Sequence, residues 1–134
     1  MEKLNYFVFI LVALAIILGI GFLCLGCAYA DTASWYSKAS CIKEGTFQKW
    51  EGRCANGEIF DDTKLVAASW DYNFGTMLKV TNISTGKSVI VKVSDRGPAK
   101  RLYKKGRKID LSKAAFKEIA LLRQGVIEVK IEQI

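Results

Sequence analysis

A break in composition at residue 30 limits what this chain can fold into more than any other feature. Residues 6–30 carry no charged side chain, and residues 7–25 form an almost unbroken apolar block. Such a block must meet a membrane. It closes with Ala28-Tyr29-Ala30, the small-x-small pattern that a signal peptidase cuts because only short side chains fit beside the scissile bond. Residues 1–30 therefore read as a signal peptide or membrane anchor. Three fates stay open: cleavage that leaves Asp31 first, retention of residues 6–27 as an anchor of roughly bilayer-spanning length, and lipidation at Cys27, which follows Leu25-Gly26.

About 100 residues remain to fold, residues 31–134, enough for one modest core but small enough to profit from a covalent staple. Beyond the leader the chain has two cysteines, Cys41 and Cys54, and in an exported chain an oxidised pair is the natural reading, with two free thiols as the alternative. A metal site is not expected, because the chain has no histidine and two thiolates do not complete a tetrahedral zinc site. The formal charge of +7 falls wholly on residues 31–134, since Glu2 and Lys3 cancel. An acidic partner outside the membrane fits that charge, and export argues against nucleic acid.

The folded part reads as mostly β. Met77-Leu78-Lys79-Val80-Thr81 and Ser88-Val89-Ile90-Val91-Lys92-Val93 flank a glycine-containing turn and predict a hairpin. Asn82-Ile83-Ser84 inside it is read as turn chemistry. Ile127, Val129 and Ile131 alternate with Glu128, Lys130 and Glu132, which predicts a strand with one buried face. One short helix is expected, capped by Ser112, with Leu111, Ala115, Ile119 and Leu122 at helical spacing and Gly125 ending it. Short strands, glycine turns and one helix suggest a small closed or nearly closed barrel, since closure removes exposed edges.

Six stretches then resemble, in order and spacing, the RlpA-like family: Ala33-Ser34-Trp35-Tyr36, Ala55-Asn56-Gly57-Glu58-Ile59-Phe60-Asp61, Phe74-Gly75-Thr76, Val80-Thr81-Asn82, Asp95-Arg96-Gly97-Pro98 and Ile109-Asp110-Leu111-Ser112. The resemblance implies a six-stranded double-psi β-barrel over residues 31–134, akin to expansins and barwin-type proteins. It also implies a lytic transglycosylase of the bacterial cell envelope that acts on peptidoglycan glycan strands, as a monomer and without cofactor or metal. The alternative is a non-catalytic carbohydrate-binding module. A small secreted inhibitor is a third reading, motivated only by size and cysteines.

The family's polar cluster carries over to Glu58, Ser69 and Asp95. Ser69 stands where the family has histidine, so a carboxyl group with a raised pKa must supply the proton. Glu58 is the first choice, with Asp95 close enough to raise it by like charge or ionised to support the transition state. Asp110 is a further candidate, by resemblance to expansins. Asp61 flanks the same motif as Glu58. Arg96 could clamp a substrate carboxylate or pair internally. Trp35, Tyr36, Trp70 and Tyr72 are candidate faces for sugar stacking. Six positive charges within residues 100–108 read as a solvated loop or an anionic-polymer contact.

Overall fold

A computed structural model describes residues 30–134. The leader and its alternative fates, Cys27 included, lie outside the described residues. Six strands close into a barrel in the order β1-β5-β2-β4-β3-β6. They are β1 (Asp31–Tyr36), β2 (Val66–Ser69), β3 (Met77–Asn82), β4 (Ser88–Asp95), β5 (Arg107–Ser112) and β6 (Val126–Gln133). β1 runs parallel to β5 and β2 parallel to β4, while every other neighbouring pair is antiparallel. Because parallel neighbours cannot be joined by tight turns, both of these pairs require long excursions over the barrel ends. The loops that build the functional site are those excursions.

The predicted hairpin is present, with Met77 opposite Lys92 and Thr81 opposite Ser88. Its turn places Gly86 at φ 73°, a left-handed conformation that glycine adopts without steric cost. Asn82 is turn chemistry as expected: its side-chain oxygen accepts from the Ser84 amide at 3.0 Å. Its amide nitrogen also donates to the Ile119 carbonyl at 2.8 Å, which ties the hairpin to a helix 37 residues further on. The alternation in β6 is borne out, with Ile127 and Val129 buried and Glu128 and Lys130 exposed.

Instead of the single expected helix, the described residues form four short ones: α1 (Lys38–Lys43), α2 (Thr46–Lys49), α3 (Lys100–Tyr103) and α4 (Lys113–Ile119). The first three have four to six residues, too few for a 3.6-residue repeat to stand out in sequence. α4 is the predicted one, and the Ser112 hydroxyl accepts from the Ala115 amide at its N-terminus. It stops sooner than periodicity suggests, because Ala120 is extended, and a separate 3-10 turn, Leu122–Gln124, carries the chain to Gly125. Leu122 still packs on the core, so its spacing reported burial correctly and helix wrongly.

The barrel interior is filled by Ala33, Ala67, Leu78, Val80, Val89, Val91, Val93, Ile109, Leu111, Ile127 and Val129, and α4 closes the core with Ala115, Phe116 and Ile119. Phe116 is the largest fully buried side chain. Phe116→Ala should cost about 3–5 kcal/mol through lost burial and the cavity left behind. Thermal unfolding followed by circular dichroism should show Tm lowered by roughly 10 °C or more.

Candidate active site

The site begins as a row across four adjacent strands. Asp95 on β4 is in register with Ala68 on β2, Ala68 with Asp110 on β5, and Asp110 with Ser34 on β1. Strands lie about 4.8 Å apart, so the two aspartates stand on either side of a strand whose side chain is one methyl group. A shift in register between Ala67 and Ala68 makes this row. Val89, Val91 and Val93 point into the core, and strict alternation would send Asp95 after them. The extra residue, Ser94, breaks the alternation and turns Asp95 onto the face that Ala68 and Asp110 share.

Asp95 and Asp110 line a cavity of about 530 Å³ whose wall also includes Tyr36, Cys54, Trp70 and Arg96. Oδ1 of Asp95 accepts from the backbone amides of Ala55 at 2.9 Å and Arg96 at 2.8 Å. Oδ1 of Asp110 accepts from the Ser34 hydroxyl at 2.5 Å. Burial is the main influence on both and raises both above the ordinary carboxylate range. For Asp95 the two amide bonds and Arg96 oppose the rise; for Asp110 the Ser34 hydroxyl and the Arg107 charge oppose it, and the Glu44 and Asp95 charges add to it.

The Asp95-Arg96-Gly97-Pro98 segment then bends over β2 with a cis peptide between Gly97 and Pro98. A methyl group on Gly97 would sit 3.2 Å from Cβ of Ala68 and 3.7 Å from Oδ2 of Asp110. A side chain there would press on Ala68, which would have to give by a few tenths of an ångström. Arg96 holds the same segment from the other side, donating through Nη1 to the carbonyls of Ser69 at 2.7 Å and Tyr72 at 2.8 Å. Its guanidinium lies 3.8 Å from the centre of the Phe74 ring. Arg96 is thus a brace for the loop, and its guanidinium makes no salt bridge with a groove aspartate.

Glu58 departs from its expected role. It lines a separate cavity of about 380 Å³ together with Asp61, Lys64 and Lys92. Both of its carboxylate oxygens accept from Lys92 Nζ at 3.1 Å, and this contact holds its pKa below the usual range. The like-charge rise from Asp95 does not occur; Lys92 neutralises the group instead. Asp61 is a turn carboxylate that accepts from the amide and hydroxyl of Thr63, and it too is held low by that residue.

The predicted aromatics separate in the same way. Trp35 packs on the core beside Phe116 and donates from its indole nitrogen to the Leu122 carbonyl at 3.0 Å. Tyr72 also packs against the core. Ser69 is buried and its hydroxyl accepts from the Asp71 amide at 3.2 Å, so the position of the family histidine is closed off from the cavity. Tyr36 does line the cavity, and one face of its ring is taken by a stack on Phe60 at 4.6 Å. Trp70 lines it as well, fixed by its indole N–H on the Pro98 carbonyl at 2.7 Å.

Cys41 and Cys54 both reach this cavity, but they are free thiols, contrary to the expected bridge. The Ser94 hydroxyl lies 3.8 Å from Cys54 Sγ. Burial raises both thiols, Cys54 to about 11, so almost no thiolate is available to start disulfide exchange.

Sequence reasoning passed over the far wall. α1 and α2 cross the cavity mouth and contribute Phe47 and, just after α2, Trp50, which is 61% exposed. Gly52 makes this possible: at φ 70°, with its Cα hydrogens facing Phe47, it leaves no room for a side chain, since a methyl group there would come within 2.7 Å of the ring. An unpaired tryptophan in the polar run Gln48-Lys49-Trp50-Glu51 was the available signal. Among the described residues, no group of three or more histidine, cysteine, aspartate or glutamate side chains is placed to hold a metal.

Raised carboxylates make ionisation a cost to the fold. That cost is absent below the unfolded-state pKa near 4 and fully present above the raised folded value, so stability contributed by these groups falls as pH rises through that window. Asp110→Asn keeps an acceptor for Ser34 and removes the charge. It should raise Tm at pH 7 and leave it almost unchanged near pH 3, as checked by calorimetry at both values.

Residues 29–131 match the family model described as lytic transglycolase. The chain is 38% identical over 110 residues to the endolytic peptidoglycan transglycosylase RlpA of Vibrio cholerae, covering 81% of this chain and 36% of that one. To the protein of the same name from Pseudomonas aeruginosa it is 41% identical over 104 residues, covering 77% and 26%. It therefore spans about a third or less of the length of these relatives. Among solved structures, an expansin of Clavibacter michiganensis bound to cellohexaose superposes with a TM-score of 0.54 at 19% identity, covering 78% of this chain and 49% of that one. A Streptomyces papain inhibitor superposes at 0.53 and 23% identity, covering 76% and 91%. These likenesses confirm the barrel, and the family match with its relatives near 40% identity shows that the chain belongs to the RlpA-like lytic transglycosylase family of double-psi β-barrels.

Proposed function

We propose that this domain cleaves the β-1,4 bond between MurNAc and GlcNAc in peptidoglycan glycan strands and leaves 1,6-anhydroMurNAc ends. The observation that supports it is the pair of half-buried carboxyl groups, Asp95 and Asp110, brought to one open cavity with a raised pKa each. In the reaction the C6 hydroxyl of the muramic residue attacks its own anomeric carbon, and the bond to the leaving sugar breaks. One proton must reach the leaving oxygen and another must leave the C6 hydroxyl. A single carboxyl group can give the first and take the second, ending as it began.

Asp95 suits that task. Its Oδ1 is held by two amides, which leaves Oδ2 to carry the proton toward the cavity. Asp110, with one oxygen on Ser34 and its place in the cavity wall, is positioned to support positive charge at the anomeric carbon. Ser69 takes no part, and Glu58 with Lys92 would flank the strand outside the reacting centre. Sugar rings would stack on Trp50 and Trp70, which stand at the cavity rim with polar neighbours. The domain would work as a monomer in the bacterial cell envelope, outside the cytoplasmic membrane, held there or delivered there by residues 6–27. The basic run of residues 100–108 fits the acidic polymers found in that place.

The full chain incubated with sacculi and with peptide-free glycan strands should release products with anhydro ends, detected by mass spectrometry. Asp95→Asn should lower that rate by about 10²–10⁴-fold, the usual worth of a positioned acid–base group. Retained pelleting with sacculi but no soluble product from the unaltered chain would instead establish a binding module. A second measurement concerns the rim. Trp50→Ala should weaken glycan binding in calorimetry by about fivefold to tenfold, in line with about 1 kcal/mol for an aromatic contact, and unchanged affinity would remove Trp50 from the subsite.

A further inference from the structure

β1 contributes two side chains to the groove, and they are used differently. Ala33 and Trp35 face the core, so Ser34 and Tyr36 fall on the opposite face. Ser34 commits its hydroxyl to Asp110. The Tyr36 hydroxyl commits to nothing: it is the one buried side-chain polar atom among the described residues that lacks a hydrogen-bond partner. Elsewhere this fold satisfies such groups carefully, as Ser69, Asn82 and Ser112 show. A buried, unpaired hydroxyl in an otherwise satisfied structure calls for a reason.

Packing offers none. The ring is held by its stack on Phe60, with planes 12° apart, and phenylalanine would keep that stack without an unpaired hydroxyl. The hydroxyl also cannot swing away to find a partner, because the phenol oxygen lies on the axis about which the ring turns. Tyr36 lines the cavity that holds Asp95 and Asp110, and its hydroxyl is buried there without a partner. Burial, followed by the Asp95 charge, pushes its pKa well above the ordinary tyrosine value, so it stays protonated.

We propose that the Tyr36 hydroxyl is a substrate-binding group that hydrogen-bonds a hydroxyl of the sugar ring lying against Asp95 and Asp110. A phenol donates and accepts at once, as a sugar hydroxyl does, so one contact satisfies both partners. Tyr36 then holds the sugar by its oxygen rather than by its ring face, and supplies on the β1 side a fixed polar contact that buried Ser69 cannot supply from β2. The assignment rests on the saccharide reading of this groove.

The test compares the full chain in detergent with its Tyr36→Phe variant, using calorimetric binding of peptide-free glycan oligosaccharides and thermal unfolding. Kd should rise about tenfold, equivalent to about 1.4 kcal/mol, while Tm stays level or rises because the stack survives and no orphan hydroxyl remains. Tyr36→Leu, run alongside, should lower Tm by losing the Phe60 stack. Equal affinity of Tyr36→Phe and the unaltered chain would overturn the proposal, leaving a buried hydroxyl with no part in binding. Weaker binding together with a lower Tm would overturn it too, by making the hydroxyl a packing group. If the unaltered chain binds glycan but forms no anhydro ends, the transglycosylase reading fails while the Kd comparison still decides Tyr36. If it binds no glycan, both fall, by a signal that precedes any substitution.

Discussion

The groove depends on one irregularity in hydrogen bonding between β2 and β4. A regular parallel pair would oppose Ala68 to Ser94 and aim Asp95 into a core of valines, where an unpaired carboxylate could not be tolerated. By adding one residue, the bulge brings Asp95, Ala68, Asp110 and Ser34 onto a common line and lets the loop after Asp95 fold back across it. Everything else at the site adapts to that line. The loop passes close over Ala68, a side chain on Gly97 would crowd that alanine, and Arg96 braces the loop from outside.

The arrangement also sets a tension between stability and chemistry. Among the described residues, two carboxyl groups are partly withdrawn from water without a salt bridge to either one, while Glu58 pairs with Lys92 at the adjoining cavity. Paired charges of that kind are chemically quiet, whereas half-buried unpaired ones are ready to exchange a proton. The closed barrel and the α4 helix supply the burial that lets the fold carry this cost.

Much of the fold was legible because its signals are local. Alternation revealed β6, the glycine turn revealed the β3–β4 hairpin, and Ser112 marked the start of α4. The barrel topology came from motif resemblance, since no periodicity encodes which strands become parallel neighbours. Asp95 and Asp110 were legible as motif positions, but the separation of Glu58 from them was not. That outcome turns on Lys92, which is 34 residues from Glu58 in sequence and beside it only once β4 is formed. Nor could sequence tell Trp35 and Tyr72, which fill space at the core, from Trp50, which stands in water at the rim. Aromatic identity is shared between those roles, and only exposure separates them.

The ammonium of Lys100 sits 3.6 Å from the centre of the Trp70 ring. That indole face is therefore already occupied, and a sugar that stacks there enters by exchange rather than by filling an empty slot. A neutral saccharide gains an apolar surface and forfeits a cation–π contact, so its net advantage is small. A saccharide bearing a carboxylate gives the displaced ammonium a new partner, and the exchange becomes favourable in both halves. Under the proposed function, discrimination between plain and acidic glycans would arise at Trp70 through this exchange, and it would fade as added salt competes for the freed lysine.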